Sequence, residues 1–123
     1  MHISAAEFEK LVEEGLQLIP TEIRRLMENV QIVIRDRPSR TLLKELGLPP
    51  HETIYGLYEG TPLTERGTDY AALPDRIIIY RRPLTDDFDD PDELRHEVAR
   101  TVVHEVAHHF GIGEDRLAEL GWD

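Results

Sequence analysis

The chain has no cysteine among its 123 residues. That excludes disulfides and thiolate metal ligands, and makes a reducing cytoplasm the expected home. Long apolar runs are missing too. None approaches the roughly 18 residues that span a bilayer, so no membrane partner is expected. The N-terminal MHISAAEFEK has neither a basic stretch nor an apolar core of a signal peptide, which argues against secretion. Positive charge is scarce: 14 basic residues face 25 acidic ones, a formal charge of -11. Such a surface repels phosphate backbones, so nucleic acid is not an expected partner. The acidity suits basic segments, but above all it keeps a protein soluble. Repeats, low-complexity tracts and linkers are not evident. One domain over residues 1–123 is expected at this length, with 40% hydrophobic residues to build its core.

Ser4 can cap a helix with apolar positions Phe8, Leu11, Val12 and Leu16. A second helix is predicted from about Thr21 to Asn29. The period then changes, and the β-branched run Val30 to Ile34 reads as a buried strand. Thr41 to Leu46 reads as a short helix closed by Gly47 and Pro49. Thr53 to Tyr58 reads as a strand, with Gly56 marking a bulge or a close backbone approach. Gly60 to Asp75 has no periodicity, and so long a loop in a small domain suggests function. Arg76 to Arg81 is the clearest strand. The acidic run Asp86, Asp87, Asp89, Asp90 and Asp92 lacks the pattern of a calcium loop, and reads as a solvated loop leading into a helix cap.

The final third is helical. Asp90-Pro91-Asp92-Glu93 supplies a cap, Pro at the first helical position and Glu three residues after the cap. Leu94, Val98, Val102 and Val106 follow at intervals of four, and Gly111 is the expected stop. Asp115 to Leu120 can form one more short helix. Helices, then three strands, then helices in a non-alternating order argue for an α+β domain.

Inside the long helix lies His104-Glu105-Val106-Ala107-His108. Positions four apart share a helix face, so His104 and His108 can point two imidazoles at one zinc ion. Glu105, about 100° further round, can take a proton from a water activated by the metal and pass it to a leaving amine. In a chain of this composition the HExxH pattern arises by chance about 3 times in 100, and about 5 in 10,000 once Gly111 and the acid at 114 are required. A catalytic zinc keeps three protein ligands. Few residues follow His108, and after the Gly111 turn Glu114 arrives first, as a third ligand or as an exposed acid at a helix start. Asp115 is its rival, and also suits the cap of the last helix. His109 lies about 140° from His104 round the helix and is read as a bystander, and His96 is roughly 12 Å away along it. His2 and His51 are read as surface residues. Tyr55, Tyr58, Tyr70 and Tyr80 are hydroxyl donors in principle, and Arg66 is a cation in the long loop.

His104, Glu105, His108 and Gly111 resemble the metzincin pattern HExxHxxGxx(H/D), with Glu114 at the third-ligand position. More closely, the chain resembles the small bacterial zincin-like family of zinc metallopeptidases with a matrix-metalloprotease-like domain. The residues that carry this are HEVAHHFG, Arg116 to Trp122, Tyr55 to Gly60 with Pro62-Leu63, and Leu73 to Ile77. The resemblance implies a minimal zincin fold, a small sheet of about three strands packed on helices with the HExxH helix at the C-terminus. It also implies a zinc cofactor (Zn2+) and hydrolysis of peptides or unfolded proteins, laid along the strand from Thr53 to Tyr58 by β-augmentation. Glu114 replaces the usual His or Asp, and no Met follows the motif, because the only two are Met1 and Met27. A zinc-stabilised binding or regulatory domain without turnover is the alternative. Peptide deformylase chemistry fails for want of its Cys ligand, and a metal-dependent RNase is disfavoured by the charge.

Overall fold

A computed structural model describes residues 1–60 and 74–123. Most of the loop expected from Gly60 to Asp75, with Arg66 and Tyr70, lies outside the described residues. The described elements run α1 (Ala5–Leu16), α2 (Thr21–Leu26), β1 (Val30–Arg35), α3 (Arg40–Glu45), β2 (Gly56–Glu59), β3 (Asp75–Tyr80), α4 (Arg81–Asp87), α5 (Pro91–Phe110) and α6 (Glu114–Glu119). The α+β expectation holds: a three-stranded mixed sheet packs on helices, and the last long helix is α5.

The strand order is β1-β3-β2. β1 runs parallel to β3, with Ile32 opposite Ile77 and Ile34 opposite Ile79. β2 runs antiparallel to β3, with Gly56 opposite Ile79 and Tyr58 opposite Ile77. β3 is central, which is why its β-branched run Ile77-Ile78-Ile79 is buried throughout. Ile77 and Ile79 join a core with Phe8 and Val12 of α1, Ile23 of α2, Leu84, Leu117 and the α5 stripe Leu94, Val98, Val102 and Val106. Alternate strand residues take opposite faces, so Ile78 is buried on the other side.

Local chemistry explains most element ends. Ser4 caps α1 in a reciprocal box, its hydroxyl accepting from Glu7 N at 3.1 Å while Glu7 Oε1 accepts from Ser4 N at 3.3 Å. Asp90 caps α5 by accepting from Asp92 N at 3.2 Å, and Gly111 ends it at φ 74°, where a Cβ is strained. The second helix stops earlier than expected, at Leu26, because Asn29 already serves the sheet: its carbonyl accepts from Asp75 N at 3.0 Å. β2 starts at Gly56 rather than Thr53 because its partner runs out. β3 ends at Tyr80, opposite Tyr55, and the chain beyond is helical.

That helix, α4, is the main departure from the pattern of the sequence, in which the strand continues to Arg81 and the acidic run is a loop. Pro83 stands third in α4, among the first positions whose N–H has no partner within the helix, so Pro is tolerated there. Pro83, Leu84 and Thr85 are buried. Asp86 and Asp87 therefore close α4, Asp89 lies between helices and pairs with the N-terminal amine at 3.1 Å, and Asp90 is a cap. Asp115 does not cap α6 as expected. Gly113 is the cap, and Glu114 and Asp115 occupy the first turn. Among the described residues no helix is long and apolar enough to cross a membrane.

Candidate active site

His104, Glu105 and His108 all lie on α5, which the core stripe holds against the sheet and α1. His104 is half-buried, and His108, one turn nearer the helix end, is exposed. Nε2 of His104 lies 2.6 Å from the carbonyl oxygen of Trp122. A carbonyl only accepts, so Nε2 donates its N–H there. Trp122 is placed by the turn that ends α6. Gly121 takes φ 80°, Gly121 N donates to Ala118 O at 3.0 Å, and Trp122 N donates to Leu117 O at 2.8 Å, the paired bonds of a Schellman turn. The Trp122 ring stacks on His96 with centroids 5.1 Å apart. His96 is too far along the helix to meet His104 directly, yet the tail links them.

Glu105 faces β2. Its Oε1 accepts from Tyr58 N at 2.8 Å, a backbone donor 47 residues earlier in the chain. Gly56 makes this approach possible. A Cβ there would lie 2.9 Å from Ile78 O and 2.9 Å from Thr101 Cγ2, and Thr101 precedes Glu105 by one turn on α5. Of the two readings of Gly56, close approach is the one observed.

His109, further round the helix than the histidine pair, stacks on Tyr58 with centroids 3.9 Å apart, and Phe110 meets both rings edge-on. The Tyr58 hydroxyl donates to Asp75 Oδ2 at 2.7 Å, and His109 Nε2 lies 3.9 Å from the same oxygen. Towards the start of α5, burial raises the Glu97 carboxyl above its ordinary value, against the nearby positive charge of Arg100. The Tyr55 hydroxyl is pushed up to about 12 by burial and by its hydrogen bond to Asp87, so it stays protonated at neutral pH. Tyr80 is buried in β3 and is likewise raised, chiefly by burial. His2 and His51 are exposed, as expected.

The donors fit zinc in kind: two imidazoles one helical turn apart, with the intervening carboxylate held by a neutral N–H rather than neutralised by a cation. Glu114 and Asp115 are both exposed in the first turn of α6, just past the Gly111 turn. Among the described residues, no three His, Asp or Glu side chains come together to hold a metal ion. The Trp122 carbonyl at His104, the Tyr58 amide at Glu105 and the His96 stack escaped the sequence reading. Two of these are backbone groups with no residue-type signature. The only signal for the third was the chain's single Trp.

A family model described as zincin-like metallopeptidase matches residues 27–122, which include every residue of the histidine motif and of the turn after it. No curated protein matches the chain. Among solved structures, a conserved hypothetical protein from Thermo thermophilus aligns with a TM-score of 0.57 at 20% identity, covering 94% of this chain and 98% of that one. A likeness at that identity concerns the fold.

Proposed function

The chain belongs to the zincin-like metallopeptidase family, whose members are typically zinc-dependent, and from that premise we propose that it hydrolyses peptide bonds with Glu105 as the general base. The observation that carries this reading is the position of Glu105. It sits between two histidines one turn apart on α5, and its Oε1 is anchored by the Tyr58 amide at 2.8 Å. With Oε1 engaged, Oε2 is the oxygen that takes a proton from the attacking water and later passes it to the leaving amine. A purely structural metal site has no use for a base so placed.

His104 and His108 would hold the zinc, with Glu114 as third ligand and Asp115 as its alternative. When bound, zinc supplies a Lewis acid that polarises the scissile carbonyl and acidifies water. Short peptides or unfolded segments are the proposed substrates. They would lie along the outer edge of β2. The protein is taken to act in the cytoplasm, away from nucleic acid and membranes.

A quenched-fluorescence peptide library tests the reading. Zinc-loaded wild type is expected to cleave it, and Glu105→Ala to lose cleavage by about 100-fold or more, on the order of a general base's contribution, while keeping its zinc. Cleavage that survives Glu105→Ala refutes the mechanism. Zinc affinity is expected to fall in Glu114→Ala and to hold in Asp115→Ala, and equal affinity in both refutes the third-ligand assignment. A second reading, a zinc-stabilised binding domain without turnover, draws on the contact between the C-terminal turn and His104. It is favoured if wild type binds zinc and gains stability but cleaves nothing in the library.

A further inference from the structure

The Trp122 carbonyl meets the same imidazole that the proposed function assigns to the metal. Nε2 of His104 donates its N–H to that oxygen at 2.6 Å, and a nitrogen that donates an N–H has no lone pair free for a metal. Zinc and the tail therefore cannot share this nitrogen. The contact is built by three separate features. Gly121, at φ 80°, turns the chain back over α6. The Trp122 amide is tied to Leu117 O at 2.8 Å, and Leu117 is fully buried in the core. The Trp122 ring then lies flat on His96, two turns before His104 on α5, with 16° between the planes. The base of α6 is thus fixed, whereas residue 122, partly buried against the edge of the core, is held by one amide, one stacking contact and the bond to His104.

We infer that the Gly121–Trp122 turn is an internal occupant of the His104 ligand position, which zinc displaces on binding. The inference rests on the assignment of His104 as a ligand. In the closed state the tail carbonyl takes the Nε2 proton in a hydrogen bond. In the open state the ring takes its other tautomer, with the proton on Nδ1 and the lone pair presented at Nε2, and the Trp122 carbonyl turns to water. Since this competition lowers the apparent affinity for zinc, zinc binding and release of the C-terminal turn are one linked equilibrium.

Trp122 is the only tryptophan in the chain, so its emission reports the turn directly. Zinc titrated into the full-length protein is expected to shift this emission to saturation at one equivalent. The shift is expected to vanish in His104→Ala. Two variants loosen the turn differently. Gly121→Ala strains the positive φ without meeting any neighbour, since no atom lies within 4 Å of a Cβ there. Trp122→Ala removes the ring that stacks on His96. Each is expected to bind zinc about five- to tenfold tighter than wild type, measured by competition with a chromophoric chelator, which is about 1–1.4 kcal/mol at 1.4 kcal/mol per tenfold. Unmoved emission in a wild type that does bind zinc through His104 and His108 overturns the inference and leaves the site intact. So does equal or weaker zinc binding by both variants, which makes the carbonyl a support behind an Nδ1 ligand. Absence of zinc binding in the wild type and both variants overturns the site itself, and the inference with it.

Discussion

Gly56→Ala tests how the edge strand is pressed onto α5. The added Cβ would stand 2.9 Å from Ile78 O and 2.9 Å from Thr101 Cγ2, where ordinary contact begins at 3.4 Å. The gap to open is the difference, 0.5 Å, and one of the two obstacles is backbone. A shift of that size along the β2–α5 direction stretches the bond from Tyr58 N to Glu105 Oε1, now 2.8 Å, to about 3.3 Å, past the range of good N–H···O geometry. Overpacking of this kind costs about 1–3 kcal/mol, and a weakened bond to a charged acceptor adds to it. With a total of about 2–3 kcal/mol and roughly 4 °C per kcal/mol for a domain this size, the thermal midpoint is expected to fall by about 8–12 °C. Circular dichroism melts measure it, with Gly113→Ala as control. No atom lies within 4 Å of a Cβ at Gly113 and its φ is -81°, so that variant is expected to lose only the modest preference of the α6 cap for Gly over Ala, a smaller fall than in Gly56→Ala. Zinc binding is expected to be kept, because both histidines ride on α5 and not on β2, while peptide cleavage falls with the loosened Glu105. A melting point of Gly56→Ala within about 2 °C of wild type refutes the idea that a bare backbone is needed for this approach.

Two further perturbations address the core and its charge. Gly15→Ala places a Cβ 2.7 Å from Arg95 O and 3.2 Å from Val98 Cβ, where α1 crosses α5. Overpacking is expected to outweigh the roughly 1 kcal/mol that Ala gains over Gly within a helix, so the midpoint drops, and a rise in the melt refutes the close crossing. Glu97→Gln follows from the raised carboxyl. Burial lifts it above 4.5, so folding favours its protonated form. The stability this contributes is whole below pH 4.5 and lost as pH rises through the higher folded value. The neutral variant is expected to melt above wild type at about pH 7–8, with the gain gone at about pH 4 and below. A gain that persists in acid refutes burial as the cause.

Much of the fold was legible because it rests on local chemistry. Ser4, Asp90-Pro91 and Gly111 are caps and stops whose effect lies within one turn of the residue itself, so α1 and α5 have their expected starts and α5 its expected end. The run of isoleucines in β3 needed no partner to be read as a buried strand. The errors arose where a neighbour decided. Pro83 and three nearby acids resemble a loop until buried Leu84 and Thr85 show one face packed as α4. The second strand begins at Gly56 only because β3 has ended at Tyr80, which no property of Thr53 or Ile54 announces.

The candidate site divides along the same line. Spacing alone set the two imidazoles on one face of the helix beside the carboxylate, since the helix repeats about every 3.6 residues, and it put a glycine turn and two acids just beyond. What touches them came from long-range packing: the Tyr58 amide on Glu105, 47 residues away, and the Trp122 carbonyl on His104, 18 residues away. Both partners are backbone groups, which every residue carries alike, so no side chain encodes them. Their positions depend on strand register and on how the last turn folds back, and those are settled by packing.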